Sequence, residues 1–102
     1  MNKPKTEKEI EAEVKKLKKI LPTVRRFTVF GDDNHSAMDA EIRVLEDRLT
    51  LDDVQELEDD GDFTEHQSES AIYAVEWLNG ESEDKTLSEN WLPLVLKPEK
   101  KA

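Results

Sequence analysis

The sequence predicts a mainly α domain of three to four short helices, with an extended segment near residues 25–30 and an apolar C-terminal strap. Three observations carry that reading. Apolar residues recur at 4-3-4 spacing in two separate stretches, Ile10, Val14, Leu17, Leu21 and Met38, Ile42, Leu45, Leu49, so each set falls on one helix face. Pairs of the form Thr-x-x-Glu or Thr-x-x-Gln stand ahead of such stretches, as capping boxes do. β-prone residues are concentrated in a single run, residues 25–30, and one strand has no second to pair with.

The elements follow in order. Residues 1–5 are polar, include Pro4 and are expected to be loose. Thr6 and Glu9 open a helix that Pro22 closes, and Lys15, Lys16, Lys18 and Lys19 lie in its last turns, at the negative end of the helix dipole. Residues 25–30, Arg-Arg-Phe-Thr-Val-Phe, read either as an extended linker or as a strand that pairs across a dimer. A turn is expected at residues 31–34, after which Ser36 and Asp39 form the next capping box. Thr50 with Asp53 repeats the signal and starts a shorter helix carrying Leu51, Val54 and Leu57. Gly61 breaks it, and Thr64 with Gln67 begins a helix whose inner face is Ala71, Ile72, Val75 and Leu78. Asn79-Gly80 supplies a left-handed stop. A polar loop at residues 81–85 leads to a last turn at Thr86 and Glu89, ended by Pro93. Leu94, Val95 and Leu96 form a strap, expected to pack against residues 27–30. Residues 6–96 thus make one acidic helical domain, with a flexible charged tail at 97–102. Each 4-3-4 stripe is two heptads or less, too short for a coiled coil.

Charge is sorted along the chain. Residues 1–26 hold nine Lys and Arg against four acids, residues 27–96 hold three against twenty, and residues 97–102 three against one. With 35% apolar and 39% charged residues, the core is thin, and a second copy is one way to complete it. The absence of cysteine excludes disulfides, thiolate chemistry and sulfur-based zinc sites. No run is long and apolar enough for a signal peptide or a membrane span, so cytoplasmic residence is expected.

Motifs that carry chemistry are scarce. His35 is flanked by adjacent acids rather than by ligands one turn away, and His66 lies among Glu65 and Glu69 on a wet helix start. Aligning Gly61 with the glycine of a calcium loop puts Glu56, Glu58 and Asp60 in ligand positions, but Gln67 stands where the closing bidentate glutamate belongs. The three glycines are scattered, so there is no phosphate loop. No catalytic residue, metal or cofactor is expected. The lysine-rich first helix lacks interleaved aromatics, and offsetting the acids within the fold is a plainer use for it than touching phosphates. Arg43 and Arg48 stand among acids and are expected to pair locally, Arg48 with Asp52 if its helix continues.

The expected function is recognition of a basic protein partner, steered by an acidic surface that includes Asp32 and Asp33 and bound through carboxylates at Asp52, Asp53, Glu56, Glu58, Asp59, Asp60, Asp62 and Glu65, with Trp77 or Trp91 as an exposed aromatic anchor. Two other readings suit the same pattern: a DNA mimic that occupies the groove of a nucleic-acid-binding protein, and a self-associating helical protein, for instance a homodimer. Direct nucleic-acid binding and membrane binding are not expected.

Overall fold

The computed structural model describes residues 3–83 and 86–96. The tail expected at 97–102 lies outside the described residues, as do residues 1 and 2 of the loose start and residues 84 and 85 of the polar loop. Among the described residues five helices appear: α1 (Glu7–Ile20), α2 (Asn34–Asp47), α3 (Leu51–Asp59), α4 (Glu65–Leu78) and α5 (Ser88–Trp91), the last a single turn. Short 3-10 turns follow α1 at Leu21–Thr23 and α5 at Leu92–Leu94, each placed where a proline ends the α-helical ladder. Among the described residues there is no sheet, only two isolated antiparallel bridges, Val24 with Val95 and Phe27 with Asp33.

Capping sets most helix starts. Thr6, Thr50 and Thr64 each accept a hydrogen bond from the amide three residues on, and Glu9, Asp53 and Gln67 return one to the cap residue's own amide. Each reciprocal box satisfies two amides that the helix leaves free. At α2 the expected box at Ser36 and Asp39 does not form. Asp33 takes the cap, accepting from the amides of His35 and Ser36, so the helix begins at Asn34 instead. Competition between two good cap residues decided this, and Asn34 tips it, because its buried side-chain amide donates to the Arg25 carbonyl at 2.9 Å. At the far end of α4, Gly80 adopts φ +76°, its amide reaches Trp77 O, and the Glu81 amide reaches Glu76 O. That is the paired closure of a Schellman stop.

The core lies mainly between α2 and α4, where Ala37 and Ala40 of one helix and Ala71 and Ala74 of the other are small enough to let the backbones approach. Met38, Val44, Leu45, Val75 and Trp77 fill out that layer. Against it α1 lays Ile10 and Leu17, and Leu87 and Trp91 close the remaining side. Each such buried side chain contributes roughly 1.5–3 kcal/mol. α3 rests on α4 through Val54 and is the least embedded of the long helices, with Leu51 half exposed.

Arg48 departs from expectation. The helix does not run on to Asp52; α2 ends, and Arg48 takes φ +54°, the left-handed conformation that costs a non-glycine residue about 1 kcal/mol. Its guanidinium turns back to the Leu45 carbonyl and reaches Glu7 of α1 at 2.5 Å. Arg43 does pair locally, with Asp47 at 3.8 Å. Of the α1 lysines, Lys18 meets Glu46 of α2 at 2.8 Å.

Candidate functional site: an aromatic hairpin beside a carboxylate groove

Residues 25–28 form the outgoing arm of a short hairpin, residues 29–31 its loop and residues 32–33 the return, so the turn falls earlier than residues 31–34. Phe27 bridges to Asp33, and the Thr28 amide donates to Asp32 O at 2.9 Å. The three-residue loop between them closes with Gly31 N on Thr28 O at 3.0 Å, Gly31 standing at φ +87° as such a loop requires. Thr28 Oγ1 accepts from the amides of Phe30 and Asp32, tying the tip a second time. The base is pinned by Asn34 N on Arg26 O at 2.6 Å and by His35 Nε2 on Val24 O at 2.8 Å. His35 is therefore a structural tie rather than a free ligand.

This well-tied hairpin holds apolar side chains in water. Phe30 is 90% exposed, Val29 84% and Phe27 51%, while Arg26 lies over the Phe27 ring. Turn tips are ordinarily polar, and an exposed aromatic on a hydrogen-bonded turn has no packing reason to be there.

A groove of about 360 Å³ lies beside the tip, between residues 31–33 and 64–67. Its lining includes the carboxylates of Asp32, Asp33 and Glu65 and, among the described residues, no lysine or arginine. Burial pushes the Asp33 carboxyl up, but the Ser36 and His35 amides and the Arg26 guanidinium outweigh it and hold the group below its ordinary value. Asp32 and Glu65 are exposed, and their carboxylates make no hydrogen bond or ion pair among the described residues. His66 also lines the groove, and its Nε2 is buried without a hydrogen-bond partner, as is Ser68 Oγ deeper in the core.

The carboxylates singled out from the sequence are distributed around α3 and the α3–α4 turn. Asp52, Glu56, Asp59, Asp60, Asp62 and Glu65 are exposed, Asp53 is occupied as a capping partner, and Glu58 is half-buried. Helical spacing sets Asp52, Glu56, Asp59 and Asp60 on one face. Gln55 donates to Asp59 at 3.0 Å. Among the described residues no three His, Asp or Glu side chains gather as a metal ion requires.

The tryptophans are placed otherwise than expected. Trp77 is 1% exposed with Lys5 Nζ over its ring, and Trp91 is also buried, so neither is an exposed anchor. The exposed rings are Phe27 and Phe30. The available signal was the Gly31-Asp32-Asp33 sequence directly after them, which can turn a β-prone run back on itself.

Two buried acids were also missed. Glu13 and Glu41, 2% and 3% exposed, face inward from α1 and α2. Glu13 accepts from the Ser88 amide at 2.5 Å, and Glu41 accepts from the Trp91 indole N–H at 2.9 Å. Burial pushes the Glu41 carboxyl up to about 8; the Trp91 hydrogen bond opposes this and nearby Glu13 adds to it. Glu41 therefore carries a proton at neutral pH. Enclosed as it is, it acts as a latch for the C-terminal turn. Spacing gave the signal here: Glu13 falls between Ile10 and Leu17, and Glu41 between Met38 and Leu45, three and four residues from each, which are core positions.

No helix among the described residues is long and apolar enough to cross a membrane. Comparison with protein-family models, curated proteins and solved structures found no match to this chain.

Proposed function

We propose that this small helical domain is a non-catalytic interaction module that binds a basic protein partner. The observation that carries the reading is the hydrogen-bonded hairpin that holds Val29 and Phe30 in solvent. A backbone tied before contact has little loop entropy left to lose on binding, and an aromatic is the kind of residue on which binding energy concentrates. The carboxylates of α3 and the α3–α4 turn steer a basic surface toward it and discourage acidic ones. A captured partner that itself binds nucleic acid would narrow the reading to competition with that nucleic acid.

The test compares proteins retained from the source lysate by the wild type, by a Val29→Ser/Phe30→Ser variant and by an Asp59→Asn/Asp60→Asn/Asp62→Asn variant. One basic protein, released by moderate salt and lost with the hairpin variant, is the expected outcome. A retained set that neither variant changes overturns the reading.

Self-association is a second reading, favoured by the exposure of Leu92, Leu94 and Leu96 on the C-terminal segment. Molar mass in solution across a range of concentrations tests it, and a monomer throughout removes it.

A further inference from the structure

We infer that the groove between residues 31–33 and 64–67, together with the adjoining tip residues Val29 and Phe30, receives a lysine- or arginine-bearing segment of the partner that also carries one large apolar side chain. This rests on the interaction-module reading and adds the chemistry of what is bound.

The basic character follows from the walls. Asp32 and Asp33 on one side and Glu65 on the other present three carboxylates, with no lysine or arginine lining the groove among the described residues. Arg26 partly answers Asp33 at 3.4 Å, whereas the carboxylates of the exposed Asp32 and Glu65 are unengaged among the described residues. A single exposed ion pair contributes little, but two carboxylates on facing walls select the sign of charge and its position. The apolar requirement follows from the tip. Covering Phe30 and Val29 removes from water the most exposed large apolar side chains of the fold.

Two other occupants suit this surface less well. An anionic lipid surface would bring its charge against Asp32 and Glu65. A second copy of the chain offers lysines at 15, 16, 18 and 19, but Leu17, the apolar residue among them, is fully buried. A partner segment that presents both kinds of side chain meets both walls and tip.

The experiment uses the full chain, isotope-labelled, titrated with synthetic peptides of lysines flanking one central residue: phenylalanine, leucine or serine. Peptides with glutamates in place of the lysines serve as the charge control. The expected result is saturable shifts of amides at residues 29–33 and 64–67 and of the His66 ring. The phenylalanine and leucine peptides should bind about tenfold more tightly than the serine peptide. Phe30→Ser, at a fully solvated site that leaves the fold intact, should abolish that preference for an apolar centre. Asp32→Asn/Glu65→Gln should weaken all the lysine peptides and leave the apolar preference in place. Equal binding of the three lysine peptides overturns the inference, as do shifts confined to α3 or to the C-terminal segment, or tighter binding to anionic vesicles than to any peptide. Should no peptide bind while a partner is still captured from lysate in a Phe30-dependent way, this inference fails and the module reading survives.

Discussion

Acidic residues are used in opposite ways in two regions of this molecule. On α1 and α2, Glu13 and Glu41 are sealed in the interior, each with one hydrogen bond to the C-terminal turn. On α3 and the turn after it, Glu56, Asp59, Asp60 and Asp62 stand in water. Desolvation rules the first region. It raises the Glu41 carboxyl until a proton is kept, and turns the acid into a neutral partner for an indole. Screening rules the second, where neighbouring charges repel weakly and cost the fold little. A chain with twenty-five acids can thus be sensitive to one of them and indifferent to most.

The largest expected effect comes from breaking the buried region at its donor. Trp91→Ala removes a buried ring and leaves Glu41 without its indole, and should destabilise the protein by about 3–5 kcal/mol in denaturant titrations. Glu41→Gln is expected to act in the other direction. An unfolded chain releases this proton near 4.5, whereas the folded protein holds it to about 8. Between those values the folded state binds one more proton than the unfolded state, so the stability it contributes falls as pH rises, then levels off above about 8. Glutamine still accepts from Trp91 and has nothing to ionise. Its variant should gain about 2–3 kcal/mol at pH 7 and lose most of the wild type's slope between pH 5 and 8. A wild-type slope that persists unchanged in the variant would assign the linkage to other acids.

Smaller effects sharpen the contrast from the exposed side. Thr64→Ala deletes the cap that joins the acidic turn to α4 and should cost about 1 kcal/mol, read as a lower thermal midpoint. Asp60→Asn and Glu56→Gln should each move stability by less than about 0.5 kcal/mol, with the difference from wild type shrinking as salt is added. An effect of Glu56→Gln as large as that of Glu41→Gln would erase the distinction between the two regions.

What could be read from the sequence divides along similar lines. Local, directional chemistry was legible: the three threonine boxes, the glycine stop after α4 and the 4-3-4 stripes all depend on residues within one or two turns of each other. The helical character of the domain followed from them. Less legible were features set by distant residues. Spacing puts Glu41 at a core position, but only the arrival of Trp91, fifty residues on, explains why an acid belongs inside. Trp77 and Trp91 were expected outside because the sequence has few candidates for an anchor. The fold needed both rings to close a thin core and left Phe30 in water. Of the carboxylates expected from the sequence, Glu65 lines the groove beside the hairpin, and its place there depends on α2 and α4 packing together, as in the contact of Gln67 Nε2 with Ser36 O.

The pairing of Val24 with Val95 bears on solubility. Two extended strips with free backbone groups are templates on which further strands can grow, and an unprotected edge invites aggregation. Here the strips meet for one bridge, with Arg25 N on Leu94 O and Leu96 N on Thr23 O on either side. Pro22 and Pro93 stand just before the two strips and lack the amide that would extend the ladder backwards. Arg25 and Arg26 put exposed charge on the outgoing arm. The pairing clasps the segment after α1 to the C-terminal segment, and among the described residues it is too short to set a long strand edge beside the exposed leucines.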